Sequence, residues 1–165
     1  MEFHLDTLLN LPDTTVESCV HQDKEAYLGL RFLNEKSSCP HCHNLSEELH
    51  QNRPVLIRDL PVFGKVIHLR VPRRQFYCEH CQRYFTERLT FVDWERRYTQ
   101  RYENYIYQRV QNTSIEQVSR EEELSWDQVQ GIFKHRFAQE KKQSGVRLND
   151  SVSMKSANVK DIKIL

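Results

Sequence analysis

The sequence predicts an α+β protein, with a β-rich front half followed by three helices. Three observations carry this expectation. Two Cys-x-x-Cys pairs, Cys39/Cys42 in SSCPHCHN and Cys78/Cys81 in QFYCEHCQRYF, each sit on a turn fed by a strand-like stretch. Between them, KVIHLRV alternates with the period of a strand, placing Ile67, Leu69 and Val71 on one face and Val66, His68 and Arg70 on the other. From Tyr98 onward the apolar spacing changes to the period of a helix.

Taken in order, residues 5–11 read as a short helix halted by Pro12. TVESCVHQ and EAYLGLRFL read as a hairpin around QDK, with Thr15, Tyr27 and Phe32 as typical strand formers. Cys19, in the first of these strands, reads as a small buried thiol. After SEELHQNRP, the stretches VLIRDL and KVIHLRV form a second hairpin through the turn PVFG. Pro72 ends it, and Arg73, Arg74 and QFYC deliver the chain to the second Cys pair. In TQRYENYIYQRVQN, Tyr102, Tyr105, Ile106 and Val110 form one stripe with Thr99 as N-cap. That stripe reads as core rather than as a platform for stacking bases. Two further helices open on capping boxes, Ser114/Gln117 and Ser125/Gln128. The first buries Ile115 and Val118, the second Val129, Ile132, Phe133 and Phe137. The last 23 residues, from Gln143, are rich in Ser, Asn and Lys and read as a poorly ordered tail, with VKDIKIL a candidate strand.

Size and composition bound the function classes. A chain of 165 residues holds one medium domain or two small ones. Its 38% apolar and 28% charged residues suit a globular chain rather than a disordered one. No run approaches the roughly 20 apolar residues of a membrane span, so no membrane role is expected. MEFHLDTLLNLPD is acidic, and its apolar run is too short for a secretory signal. A cytoplasmic chain keeps its cysteines as thiols, open to metal. Charge is unevenly spread. Residues 1–52 carry 3 Lys/Arg against 9 Asp/Glu, residues 53–97 carry 10 against 5, and residues 98–142 balance at 7 each. The basic segment surrounds the second Cys pair, where an anionic partner would be drawn.

The four paired cysteines ask for a metal. Structural zinc takes four soft or borderline ligands in a tetrahedron, and each Cys-x-x-Cys turn offers two thiolates with the correct bite. The 35 residues between the pairs exceed the usual spacing of about 15–20, but a hairpin within them returns the chain to its start. The alternative is four unligated core cysteines, which nothing else in the sequence requires. A redox pair fits worse, because neither pair opens a helix in a βαβ unit. His41, His43 and His80 lie in or beside the turns as competing ligands; exposed turn residues are their simpler reading. No general base and no open coordination position can be named, so no catalytic residue is expected. The expectation is a zinc ribbon with one structural Zn2+ on Cys39, Cys42, Cys78 and Cys81.

The last two helices have helix-turn-helix spacing. The small residue inside the first falls at Ser119, the turn at Glu123 followed by Leu124, and the packing positions of the second at Val129 and Ile132. This register leaves Trp126, Asp127, Gln128, Gln130, Gly131 and Lys134 to a groove or to phosphates. The motif prefers Ala where Ser119 stands and Gly at Glu123, because that turn often needs a positive φ. The alternative is a three-helix packing module that never meets DNA. The expected organisation is an N-terminal segment and β-hairpin (1–36), a small β zinc ribbon (37–95), a three-helix helix-turn-helix domain (96–142) and the tail (143–165).

The order of parts resembles the N-terminal region of the ISL-three family of insertion-sequence transposases. The likeness rests on CPHC, on VLIRDLPVFGKVIHLRVPRRQFYCEHCQRYFTE and on SIEQVSREEELSWDQVQGIF, over roughly residues 5–142. Relatives often carry Gly where His43 stands. The resemblance implies a prokaryotic cytosolic protein on double-stranded DNA at the inverted repeats of element ends. An intact transposase and a second copy of this chain are the candidate protein partners. On this reading Arg58, Lys65, Arg70, Arg73, Arg74 and Arg83 supply phosphate contacts, and Trp126, Gln128, Gln130 and Lys134 supply base readout. The family's chemistry resides in a ribonuclease-H-like domain whose carboxylates hold two divalent metals. Beyond the helices this chain offers only 23 residues, with Asp150 and Asp161 as their acids. The expectation is therefore a truncated, non-enzymatic DNA-binding protein. The alternatives are a transcriptional regulator or a protein-interaction zinc ribbon built from the same modules.

Overall fold

The structure, a computed structural model, describes residues 5–143. The tail, including VKDIKIL, lies outside the described residues apart from Gln143. The chain forms two compact units that divide after Tyr102. In order, its elements are α1 (Leu5–Leu9), β1 (Thr14–His21), β2 (Glu25–Phe32), β3 (Ser37–Ser38), β4 (Leu45–Ser46), β5 (Leu49–Asn52), β6 (Val55–Val62), β7 (Lys65–Val71), β8 (Arg74–Cys78), β9 (Arg83–Thr86), α2 (Gln100–Asn112), α3 (Ile115–Glu122) and α4 (Trp126–Gln143).

Both expected hairpins form, β1 with β2 and β6 with β7. They do not stay apart: β7 pairs in parallel with β2, giving one four-stranded sheet in the order β1-β2-β7-β6. The reason is shared amphipathicity. Ala26, Leu28 and Leu30 of β2 and Ile67, Leu69 and Val71 of β7 each present an apolar row, and pairing the strands makes these rows one face. Leu9 of α1, Ile57 of β6 and Val92 complete that core. A second, three-stranded sheet, β5-β8-β9, and the two-residue pair β3-β4 carry the cysteine turns. The stretch SEELHQNRP thus contains the end of β4 and all of β5, which are too short and too polar to show a period. Cys19 departs from expectation. It lies on β1, an edge strand, and is exposed, its Sγ 3.3 Å from His21 Nε2.

The apolar face of β6 also carries an acid. Asp59 is 1% exposed, and it accepts from Thr99 Oγ1 at 2.6 Å and Arg101 Nε at 2.7 Å, with a second guanidinium N–H completing a fork. Arg101 Nη1 donates in turn to the Leu9 carbonyl at 2.6 Å. The Thr99 hydroxyl also accepts from the Tyr102 amide at 3.2 Å, which makes it the N-cap expected for α2. One buried carboxylate therefore holds α1, β6 and the start of α2.

In the second unit both capping serines work as expected. Ser114 Oγ accepts from the Gln117 amide at 3.1 Å, and Ser125 and Gln128 exchange bonds of 3.2 and 2.8 Å. Val118, Leu124, Val129 and Ile132 are buried between α3 and α4. Helix α2 joins them through Tyr107, whose ring is 5.0 Å from Phe133, and through Arg109, paired with Glu121 and Glu122. Phe137 departs from expectation. It is 43% exposed, with one side on Phe133 and Lys141 over its ring, because the eighteen-residue α4 outruns the eight-residue α3.

Glu123 occupies the turn between α3 and α4 at φ 52° and ψ 41°, the left-handed conformation in which glycine is favoured. Replacing it with Gly removes a Cβ penalty but adds entropy to the unfolded chain. The net expected result of Glu123→Gly is about 0.5–1 kcal/mol of added stability. Urea titration followed by circular dichroism checks it; a loss of stability would mean that Glu123 contributes more than its backbone strain costs.

Candidate metal centre and nucleic-acid interface

The two cysteine turns are built alike. In each, the residue after the second cysteine is left-handed, His43 at φ 60° and Gln82 at φ 53°. That conformation turns the chain back under the sulfurs, and glycine would adopt it without a Cβ penalty. The His43 amide donates to the Cys39 carbonyl at 2.9 Å, closing the first turn. Strands β3 and β4 flank that turn, and β8 and β9 flank the other. The Ser46 hydroxyl donates to the Tyr77 carbonyl, which joins the two halves.

This arrangement brings all four sulfurs to within 4.8 Å of one another. Cys39 Sγ is 3.6 Å from Cys81 Sγ, and Cys42 Sγ is 3.4 Å from Cys78 Sγ. Zinc–sulfur bonds of about 2.3 Å in a tetrahedron need sulfurs about 3.8 Å apart, so small outward movements complete the site. Phe76 and Phe85 stack behind the cluster with centroids 5.8 Å apart and bury it with Cys39 and Cys78. Burial opposes ionisation of Cys39, yet backbone N–H groups of His41 and Cys42, with the neighbouring thiols, bring it down to about 7. Burial and the other three thiols push Cys81 up to about 12. Cys42 is also raised, although the Asn44 amide favours its thiolate, because burial and the Cys78 and Cys39 sulfurs outweigh that bond. One thiol ionises readily and its neighbours then resist, until a divalent cation replaces the protons. His41, His43 and His80 are exposed and do not join the cluster.

The basic residues divide sharply. Arg70, Arg73 and Arg83 are exposed. Arg58 lies half-buried over the Tyr102 ring, 5.1 Å from its centroid. Lys65 Nζ donates to the Gln22 and Asp23 carbonyls at 3.1 Å each, which fastens the tip of the first hairpin. Arg74 corrects the sequence expectation. It is buried, forks onto Glu87 at 2.8 and 2.6 Å, donates to the Asn34 carbonyl at 2.7 Å and lies over Phe32 and Phe76. A guanidinium so committed is a structural tie, not a phosphate contact.

On α4, Trp126 is 46% exposed and Lys134 is exposed, its Nζ 3.0 Å from Gln130 Oε1. Gln128 is exposed too, but its carbonyl oxygen is taken by the Ser125 cap. Sequence reasoning passed over Trp94, an exposed indole with Arg73 and Arg88 over its ring. Its signal was WERR, an aromatic among arginines in a segment without period.

Residues 35–81 match the family model described as the zinc-finger of transposase IS204/IS1001/IS1096/IS1165. Residues 87–136 match the helix-turn-helix domain of transposase family ISL3. Over these residues the chain carries the zinc ribbon and the helix-turn-helix domain of ISL3 transposases. It is similar to the transposase for insertion sequence element IS1001 of Bordetella parapertussis, with 33% identity over 99 residues. The match covers 60% of this chain and 24% of that relative, about a quarter of the relative's length. No solved structure matches. The ISL3 modules present are DNA-binding modules, and the first match contains all four cysteines, the ligand set for one structural Zn2+. Among the described residues, no helix is long and apolar enough to cross a membrane.

Proposed function

We propose that this ISL3-type chain recognises the ends of an insertion element in the cytosol of a prokaryote, by occupying DNA rather than cutting it. The observation that carries the reading is the α3–α4 pair, which leaves Trp126, Gln130 and Lys134 accessible on the first half of α4. A helix presented this way reads base edges with its N-terminal residues, while basic residues elsewhere contact phosphates. The zinc site sets the frame from which Arg83 on β9 acts, the four-stranded sheet carries Arg70 on β7, and Arg73 lies in the link from β7 to β8. An intact transposase, or a second copy of this chain, is the partner that would share such sites.

Titration of duplex DNA carrying element ends, against scrambled duplex, tests this over a series of salt concentrations. Affinity should fall steeply with salt. Gln130→Ala and Lys134→Ala should change preference among sequences, each by about 1–3 kcal/mol at the affected base pair. Equal affinity for both duplexes would remove the element-end reading. No binding at low salt would remove the DNA reading altogether.

A further inference from the structure

The exposed indole in the first unit lies outside the recognition helix and has its own chemistry. Arg73 and Arg88 both lie over the Trp94 ring, 5.4 and 5.8 Å from its centroid. The indole is 52% exposed. Among the described residues neither guanidinium has a carboxylate partner. Beside them is a cleft of about 200 Å³ with Val55, Leu89 and Val92 in its wall. Two cations that line one cleft and face one ring raise the local positive potential, which an anion there would relieve.

Among the described residues no carboxylate of the surroundings pairs with either arginine. Glu87 is taken by Arg74, and Asp93 accepts from Gln100 Nε2 at 2.8 Å. Glu95 also lines the cleft, without an ion pair among the described residues. The framework is fixed by backbone bonds: Arg53 N–H to the Arg73 carbonyl at 3.0 Å, Arg96 N–H to Asp93 at 3.1 Å and Gln100 N–H to Phe91 at 2.9 Å. A guanidinium attracted to a ring and without a carboxylate partner keeps N–H donors for an anion, and these fit phosphate oxygens in pairs. The indole therefore does for two arginines what a fixed rotamer does for one.

We propose that Arg73, Arg88 and Trp94 form a phosphate clamp for the backbone of duplex DNA, separate from α4. The proposal rests on the DNA-binding reading above. In it the arginines touch phosphate, and Trp94 is a positioning residue that holds them. The occupant is duplex DNA, the ligand of the reading above; a single strand stacking on the half-exposed ring is the competing outcome that the test distinguishes.

The test is fluorescence anisotropy with labelled duplex DNA over a salt series, on folded, zinc-loaded full chain. Arg73→Ala and Arg88→Ala should each weaken binding several-fold for all sequences alike and lower the salt slope by about one. Trp94→Ala removes no charge, yet it should also lower both affinity and slope, and Trp94→Phe should restore much of each. A merely structural Trp94 would leave the slope unchanged. Glu95→Gln should tighten binding. Zinc content and circular dichroism establish that each variant is folded, and the half-exposed ring makes the Phe variant a safe second measurement. If wild-type chain binds duplex with a salt slope that Arg73→Ala and Arg88→Ala leave unchanged, the clamp is wrong and the DNA reading stands. Loss confined to single-stranded probes would equally overturn the clamp. A wild-type chain that binds no duplex at low salt would instead remove the underlying reading before any variant is compared.

Discussion

Removal of zinc is expected to unfold the cysteine-bearing sheet while the four-stranded sheet keeps its own core. The reason is the inventory behind each. Among the described residues the apolar cluster of the small sheet is Phe76 and Phe85 with the cysteines, whereas the larger sheet buries a row of aliphatic side chains from five segments. Structural zinc contributes about 10–16 kcal/mol of apparent binding free energy at pH 7, far more than two phenylalanines return. Purified chain should therefore hold one zinc, and Cys→Ser at position 39, 42, 78 or 81 should abolish tight binding. Hydrogen exchange after chelation should show fast amides in β8 and β9 and slow ones in β2 and β7. Unchanged protection of β8 without metal would sink the prediction. Acid acts in the same direction. The bound thiolates have effective pKa values below those of the free thiols, so zinc stabilisation is present at high pH and lost as pH falls. Below about 7 Cys39 of the metal-free chain holds its proton as well, so one more proton competes with the metal and the loss steepens.

Arg101→Met is the second large effect. It strands Asp59, which is 1% exposed and accepts from Arg101 through both carboxylate oxygens. An acid so placed cannot recover its partner from water, and breaking such a pair costs about 3–5 kcal/mol. The same change releases the Leu9 carbonyl and with it the hold on α1. Urea denaturation of the first unit's signal measures the cost. The double variant Asp59→Leu/Arg101→Met should recover most of it, because a matched apolar pair leaves no buried charge. A cost under about 1 kcal/mol for the single variant would show that water reaches Asp59 after all.

What the sequence made legible was local. The cysteine turns, the alternation in β7 and the caps at Ser114 and Ser125 are each decided within a few residues, and each is where spacing put it. The parallel contact between β2 and β7 is not, because it joins segments separated by the first cysteine turn and β6. Arg73 and Arg74 show the limit more finely. They are equivalent as charge, but continuing the inward row of Cys78 and Phe76 back by two residues puts Arg74 inside and Arg73 out. Counting basic residues hid what the strand period could have supplied. Cys19 and Phe137 failed for a different reason. A bulge between Val16 and Ser18 breaks the period of β1 before it reaches Cys19, and α4 outruns α3 before it reaches Phe137.

The parallel pairing of β2 with β7 has a consequence for how the chain is made. As synthesis proceeds, Ala26, Leu28 and Leu30 emerge with no neighbour for the β2 edge until Ile67, Leu69 and Val71 follow. Cys39 and Cys42 likewise wait for Cys78 and Cys81. Both debts fall due within about ten residues of one another, between the end of β7 and the second cysteine turn. Until then the nascent front carries an open strand edge and two bare thiols, exposed to aggregation and oxidation.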